Sequence, residues 1–105
     1  MAKHRQRVDI IADILKIAAQ GARKTRIMYV ANLSYSQLVK YLEKTTSLGF
    51  VQSGINGYEI TEKGRTFLER YIHFSSKYSS VEHLLEGIES EKRALEKMCE
   101  QPQSA

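Results

Sequence analysis

The segment Lys24-Thr25-Arg26-Ile27-Met28-Tyr29-Val30-Ala31-Asn32-Leu33-Ser34-Tyr35-Ser36-Gln37 constrains the fold of this chain more than any other. It reads as a short helix, a tight turn and the capped start of another helix. Thr25 stands where it can cap the first of these, which extends through about Ala31. Asn32 suits the left-handed conformation that ends a helix, and Leu33 then plugs the turn into the core. Ser34-Tyr35-Ser36-Gln37 is a capping box, in which the Ser hydroxyl and the Gln side chain satisfy each other's free backbone N–H groups.

The flanking sequence orders itself around this unit. Residues 8–19 predict a first helix, with Val8, Ile11, Ile14, Leu15 and Ala18 recurring at helical spacing and Gly21 as its stop. Asp9, Asp13, Lys16 and Gln20 fall on its other side, and Lys3, Arg5 and Arg7 precede it as a mobile arm. The helix opened by Ser34 runs to about Leu48, where Gly49 ends it. Leu38, Tyr41, Leu42, Thr45 and Leu48 form its buried stripe, opposite Ser36, Gln37, Lys40, Glu43, Lys44 and Ser47. Residues 50–53 and 58–60 read as two strands around a loop at 54–57, where Asn56-Gly57 supplies the positive φ angles of a tight hairpin. Thr61 caps a new helix at Glu62. The order gives a mainly α fold with a small β-hairpin: a winged helix-turn-helix followed by a long C-terminal helix.

That last helix carries its own signal. Phe67, Phe74, Val81, Ile88 and Leu95 are spaced by seven, with Leu84 and Met98 three further on and Tyr71, Tyr78 and Leu85 four further on. A strict seven-residue repeat predicts a coiled-coil seam, weakened by Arg70, Lys77 and Glu91 at its second position. Ser75-Ser76 and Ser79-Ser80 are poor helix residues and mark a candidate bend. Unbroken, the segment would reach about 55 Å, which requires a partner for its apolar stripe. The expected division is a head over residues 1–61, a coiled-coil helix over 62–100 and a disordered tail over 101–105.

Charge follows the same division. Seven Lys/Arg face two Asp over residues 1–26, six face four acids over 27–78, and three face six over 79–105. A basic front and an acidic end suit a body that meets a polyanion and a segment that does not. The single cysteine, Cys99, leaves no internal disulfide and no zinc cluster. The basic start followed by apolar residues resembles a signal peptide, but Asp9, Asp13 and Lys16 interrupt it, and no apolar run is long enough for a membrane span. An intracellular, cytoplasmic protein is expected.

The helix opened by Ser34 is the expected recognition helix of a major groove. Tyr35, Ser36, Gln37 and Lys40 are its candidate base readers, and Lys44 reaches phosphate. Gln37 belongs to the capping box as well, which competes with base reading. Glu43, on the same face, would repel phosphate unless Lys40 or Lys44 pairs with it. Arg23, Lys24 and Arg26 form a candidate phosphate clamp before the second helix. The hairpin is uncharged between Thr45 and Glu62 except for Glu59. Its polar candidates are Gln52, Ser53, Asn56 and Tyr58, with Asn56 and Tyr58 the tentative wing contacts. Most of the six tyrosines sit at core or seam spacing. His4, His73 and His83 are isolated, so no metal site is expected. No nucleophile–base pair or phosphate-binding glycine loop points to an enzyme, and no catalytic residue or cofactor is expected.

The run Lys24-Thr25-Arg26-Ile27-Met28-Tyr29 followed by Ala31-Asn32-Leu33-Ser34-Tyr35, with Thr61-Glu62-Lys63-Gly64 after the hairpin, resembles the archaeal 10a family of small winged-helix DNA-binding proteins. The resemblance implies a homodimer whose long last helices pair as an antiparallel coiled coil, with winged heads that bind double-stranded DNA, and a nucleoid-associated role in archaeal chromatin or transcription. Its DNA-facing positions map to Arg23, Lys24, Arg26, Ser34, Tyr35, Ser36, Gln37, Lys40 and Lys44. The seam would comprise Phe74, Tyr78, Val81, Leu84, Leu85, Ile88, Leu95 and Met98. The alternative, favoured by the uncharged hairpin, is a protein-interaction adaptor whose coiled coil binds another protein.

Overall fold

A computed structural model describes residues 5–102; the Lys3 part of the arm and positions 103–105 of the tail lie outside them. The order is α1 (Arg7–Ala18), α2 (Lys24–Val30), α3 (Tyr35–Ser47), β1 (Val51–Gly54), β2 (Gly57–Ile60) and α4 (Glu62–Glu100). This is the winged helix-turn-helix arrangement read from the sequence. The chain divides into two units, with the division after Ile72, inside α4.

The first unit holds the core. Ile10, Ile11, Ile14, Leu15 and Ala18 of α1 bury together with Ile27 of α2, Leu33 of the turn, Leu38, Tyr41 and Leu42 of α3, and Val51 and Ile60 of the hairpin. Val8, expected on this face, is exposed instead, because the helix begins at Arg7 and its first turn lies beyond the core. Leu48 is likewise an exposed cap residue rather than the end of the α3 stripe. Thr45 is fully buried, and its hydroxyl donates to the Tyr41 and Leu42 carbonyls of its own helix. Among the described residues no buried side-chain nitrogen or oxygen lacks a partner.

The helix ends follow from local chemistry. Asn32 is left-handed, with φ 54°. The Ser34 hydroxyl accepts from the Gln37 N–H at 3.2 Å, and Gln37 Oε1 accepts from the Ser34 N–H at 3.1 Å. Thr61 Oγ1 accepts from the Gly64 N–H, as a cap of α4. Thr25 is not the cap of α2: Arg23 is, with no side-chain hydrogen bond. The segment ahead of α2 is held by a β-bridge, in which the Ala22 N–H donates to the Tyr58 carbonyl at 2.9 Å and the Tyr58 N–H to the Ala22 carbonyl at 2.7 Å.

The expected arm is anchored where it is described. Arg7 is the first residue of α1, and Arg5 donates to Asp13 and to the Ala31 and Asn32 carbonyls. The hairpin pairs Val51 with Ile60 and Gly54 with Gly57, one residue later on β1 than the sequence reading. Gly57 has φ 96°, while Asn56 does not share the positive φ expected of it. One left-handed glycine after a two-residue tip suffices to close the hairpin.

Phe67 and Tyr71, read as the start of the heptad stripe, pack on the first unit. The Phe67 ring lies 4.9 Å from that of Phe50, and the Tyr71 hydroxyl donates to Asp9 at 2.6 Å. Gly64 makes the close approach of α4 possible, since a Cβ there would run into the Phe50 carbonyl. In the second unit α4 continues through Ser75–Ser80 to Glu100 without a break. Val81, Leu84, Leu85, Ile88, Leu95 and Met98 are exposed along it. Gln101 and Pro102 follow the helix end. No helix of the described residues is long and apolar enough to cross a membrane.

Candidate nucleic-acid interface

Burial of Leu38, Tyr41, Leu42 and Thr45 fixes which side of α3 faces outward. At 100° per residue, Ser36, Lys40, Glu43 and Ser47 lie on the outermost line. Tyr35, Val39 and Thr46 lean towards the hairpin, and Gln37 and Lys44 lean the other way. All of the α3 candidates, Ser34, Tyr35, Ser36, Gln37, Lys40 and Lys44, are exposed. Tyr35 is 72% exposed. Lys40 Nζ sits 5.5 Å from the centre of the Tyr41 ring, which steadies its stem while leaving the ammonium at the surface. Gln37 Oε1 is engaged by the cap, so the two-point pattern that reads adenine is not open to it in this rotamer. Neither Lys40 nor Lys44 pairs with Glu43 among the described residues.

A groove of about 450 Å³ separates α3 from the hairpin, lined by Tyr35, Val39, Glu43 and Thr46 on one side and by Lys24 and Tyr58 on the other. Lys24 and Tyr58 also line a second cleft, with Arg23, Gly54, Ile55 and Gly57. The outward face of α3, Arg23 and Lys24 at the start of α2, and the hairpin thus form one continuous surface, while Arg26, read with them as a clamp before the helix, lies within α2 and is not among the lining residues of either cleft. The Ala22–Tyr58 bridge causes this, because it draws Arg23 and Lys24 against the base of a hairpin that has Glu59 but no Lys or Arg of its own. Arg23, Lys24 and Arg26 are exposed, and none of them is ion-paired among the described residues. Asn56 is exposed at the hairpin tip, whereas Tyr58 is half-buried by the bridge.

Several members of this surface escape a reading by periodicity. Val39, Thr46 and Ser47 line the groove but carry no charge signal. Tyr29 is 83% exposed on α2, against the general expectation of core or seam tyrosines. Ile55 stands at the hairpin tip, and a large apolar residue in a turn was the one available hint. Among the described residues no group of His, Cys, Asp and Glu is arranged to hold a metal ion.

A family model described as winged helix-turn-helix matches residues 4–79. An uncharacterized protein of Methanocaldococcus jannaschii is 34% identical over 87 residues, which cover 82% of this chain and 79% of that one. Among solved structures, Sso10a-2, described as a DNA-binding protein from Sulfolobus solfataricus, superposes with a TM-score of 0.52 at 25% identity, over 96% of this chain and all of that one. It meets the expected resemblance to the archaeal 10a proteins. Lactococcus lactis ZitR matches with a TM-score of 0.59 over 95% of this chain and 79% of its own, and at 19% identity shares the fold alone.

Proposed function

The chain belongs to the winged helix-turn-helix family, and from that premise we propose that it is a homodimeric double-stranded DNA-binding protein, acting as a transcription regulator or an architectural chromatin protein. The observation that carries this reading is the surface on which the outward face of α3 adjoins Arg23 and Lys24, with Arg26 also exposed on α2 and none of the three ion-paired among the described residues. The likeness to Sso10a-2 supports it. In this reading α3 enters the major groove, with Tyr35, Ser36 and Lys40 at base edges. Arg23, Lys24, Arg26, Ser34 and Lys44 contact phosphates, which set register rather than sequence. Glu43 excludes phosphate from the line it occupies and so narrows the orientations in which α3 can dock.

The homodimer reading rests on the second unit. Val81, Ile88 and Leu95 recur every seven residues and are exposed, with Leu84 and Met98 three positions on. A second copy laid antiparallel supplies a matching stripe. The uncharged hairpin favoured a protein-interaction adaptor. Arg23 and Lys24 beside it weigh against that argument.

Affinity for a duplex as salt rises tests the reading. Release of counterions from about six phosphates predicts a loss on the order of 10³-fold between 50 and 200 mM salt. Lys40→Ala and Arg26→Ala should each weaken binding. Parental affinity in both variants would show that the assigned face is wrong, and flat or absent binding would favour the adaptor.

A further inference from the structure

The hairpin tip holds an unusual residue for its position. Ile55 is 96% exposed, the highest value among the exposed large hydrophobic residues described. It occupies the two-residue tip with Asn56, between the paired Gly54 and Gly57. The tip is held in place rather than swinging. Tyr58 is tied to Ala22 by two backbone hydrogen bonds, and Asn56 Cβ packs where Gly21 has no side chain, so that a Cβ on Gly21 would lie 2.8 Å from it. Arg23 and Lys24 share a cleft of about 330 Å³ with Ile55.

We propose that Ile55 is an apolar wedge that the hairpin inserts into the minor groove of a duplex, with Arg23 and Lys24 on the phosphates that border that groove. The proposal rests on the DNA-binding reading above and deepens it. A minor groove about 6 Å wide admits a hairpin tip but not a helix. Its floor is an apolar stack edged by acceptors, and its rims are anionic. The tip matches both features: an aliphatic side chain at the apex, an adjacent Asn56 amide suited to the adenine N3 and thymine O2 acceptors, and two cations at the base. A wedge of this kind partly unstacks one base step and bends the duplex.

The test uses the full chain and A·T-rich duplexes carrying 2-aminopurine, whose fluorescence rises on unstacking. The parent should bind with a steep salt dependence and raise the fluorescence. Ile55→Ala, which alters a side chain without packing neighbours, should bind about tenfold more weakly. Its salt slope should be unchanged and its fluorescence rise lost. Arg23→Gln and Lys24→Gln should each reduce the salt slope by about 1 and keep the fluorescence rise at low salt. If Ile55→Ala matches the parent in affinity or in fluorescence, or if its salt slope falls, the wedge is overturned while DNA binding stands. If the parent itself shows no salt-dependent binding to any duplex, the DNA-binding reading falls and the wedge with it.

Discussion

Arg5 joins three parts of the first unit through one guanidinium. It donates to Asp13 of α1 at 2.9 Å and to the carbonyls of Ala31 and Asn32 at 2.7 and 3.1 Å. Those carbonyls end α2, where the helix leaves acceptors without partners and its dipole is negative. A cation there fixes the turn from which α3 departs. Both side chains of the ion pair are about a third exposed, so solvent screens part of the gain. Arg5→Gln is expected to lower stability by about 1–2 kcal/mol, read as a lower urea midpoint at unchanged slope. Gly64 acts in the opposite way, by having no side chain. Gly64→Ala gains helix propensity, worth about 1 kcal/mol, but drives a methyl into the backbone of Phe50. Backbone cannot move aside as a flexible side chain does, so a net loss of about 1–2 kcal/mol is expected in chemical denaturation.

At the level of elements, α3 is fixed by its cap and by its buried stripe independently. Ser34→Ala removes the acceptor for the Gln37 N–H and should cost about 1 kcal/mol. Gln37 Oε1 keeps its donor, because an alanine at position 34 still carries the backbone N–H. A thermal melt reports the lost hydroxyl, and selection from a random duplex pool should show no new preference for adenine opposite Gln37. The hairpin behaves as one piece with the segment before α2 because of the Ala22–Tyr58 bridge. Gly57 has φ 96°, and a Cβ there would meet the Ala22 carbonyl at 2.5 Å. Gly57→Ala should therefore loosen the bridge as well as the turn. Faster amide exchange at both Ala22 and Tyr58 is the expected sign, and exchange confined to the turn would show that the two are not coupled.

For the whole molecule the central quantity is the number of chains. Val81, Leu84, Leu85, Ile88, Leu95 and Met98 form a regular exposed apolar row, which the proposed dimer would cover. Sedimentation should give twice the mass of one chain for the parent. In the proposed dimer Ile88→Asp would bury a carboxylate in the seam, so it should give the mass of a single chain, with weaker DNA binding because two linked heads would lose their joint grip. A parent that sediments as a single chain removes the dimer proposal. In the antiparallel arrangement the two Cys99 residues stand at opposite ends of the paired region. Oxidation of dilute protein should therefore leave it free of disulfide-linked dimer.

Local chemistry made most of the elements legible in the residues themselves. Ser34 with Gln37, Asn32, Gly49 and Thr61 mark helix ends through hydrogen bonds and dihedral preferences that act over three or four residues. The apolar periods of α1 and α3 predict which faces bury. Contacts between residues far apart in the chain carry no such mark. The Ala22–Tyr58 bridge, the reach of Arg5 to the end of α2 and the packing of Phe67 on Phe50 each join segments whose meeting depends on the assembled core. So the charges of Arg23 and Lys24, plain in the sequence, acquired their place beside a hairpin without Lys or Arg only when the chain folded back on itself.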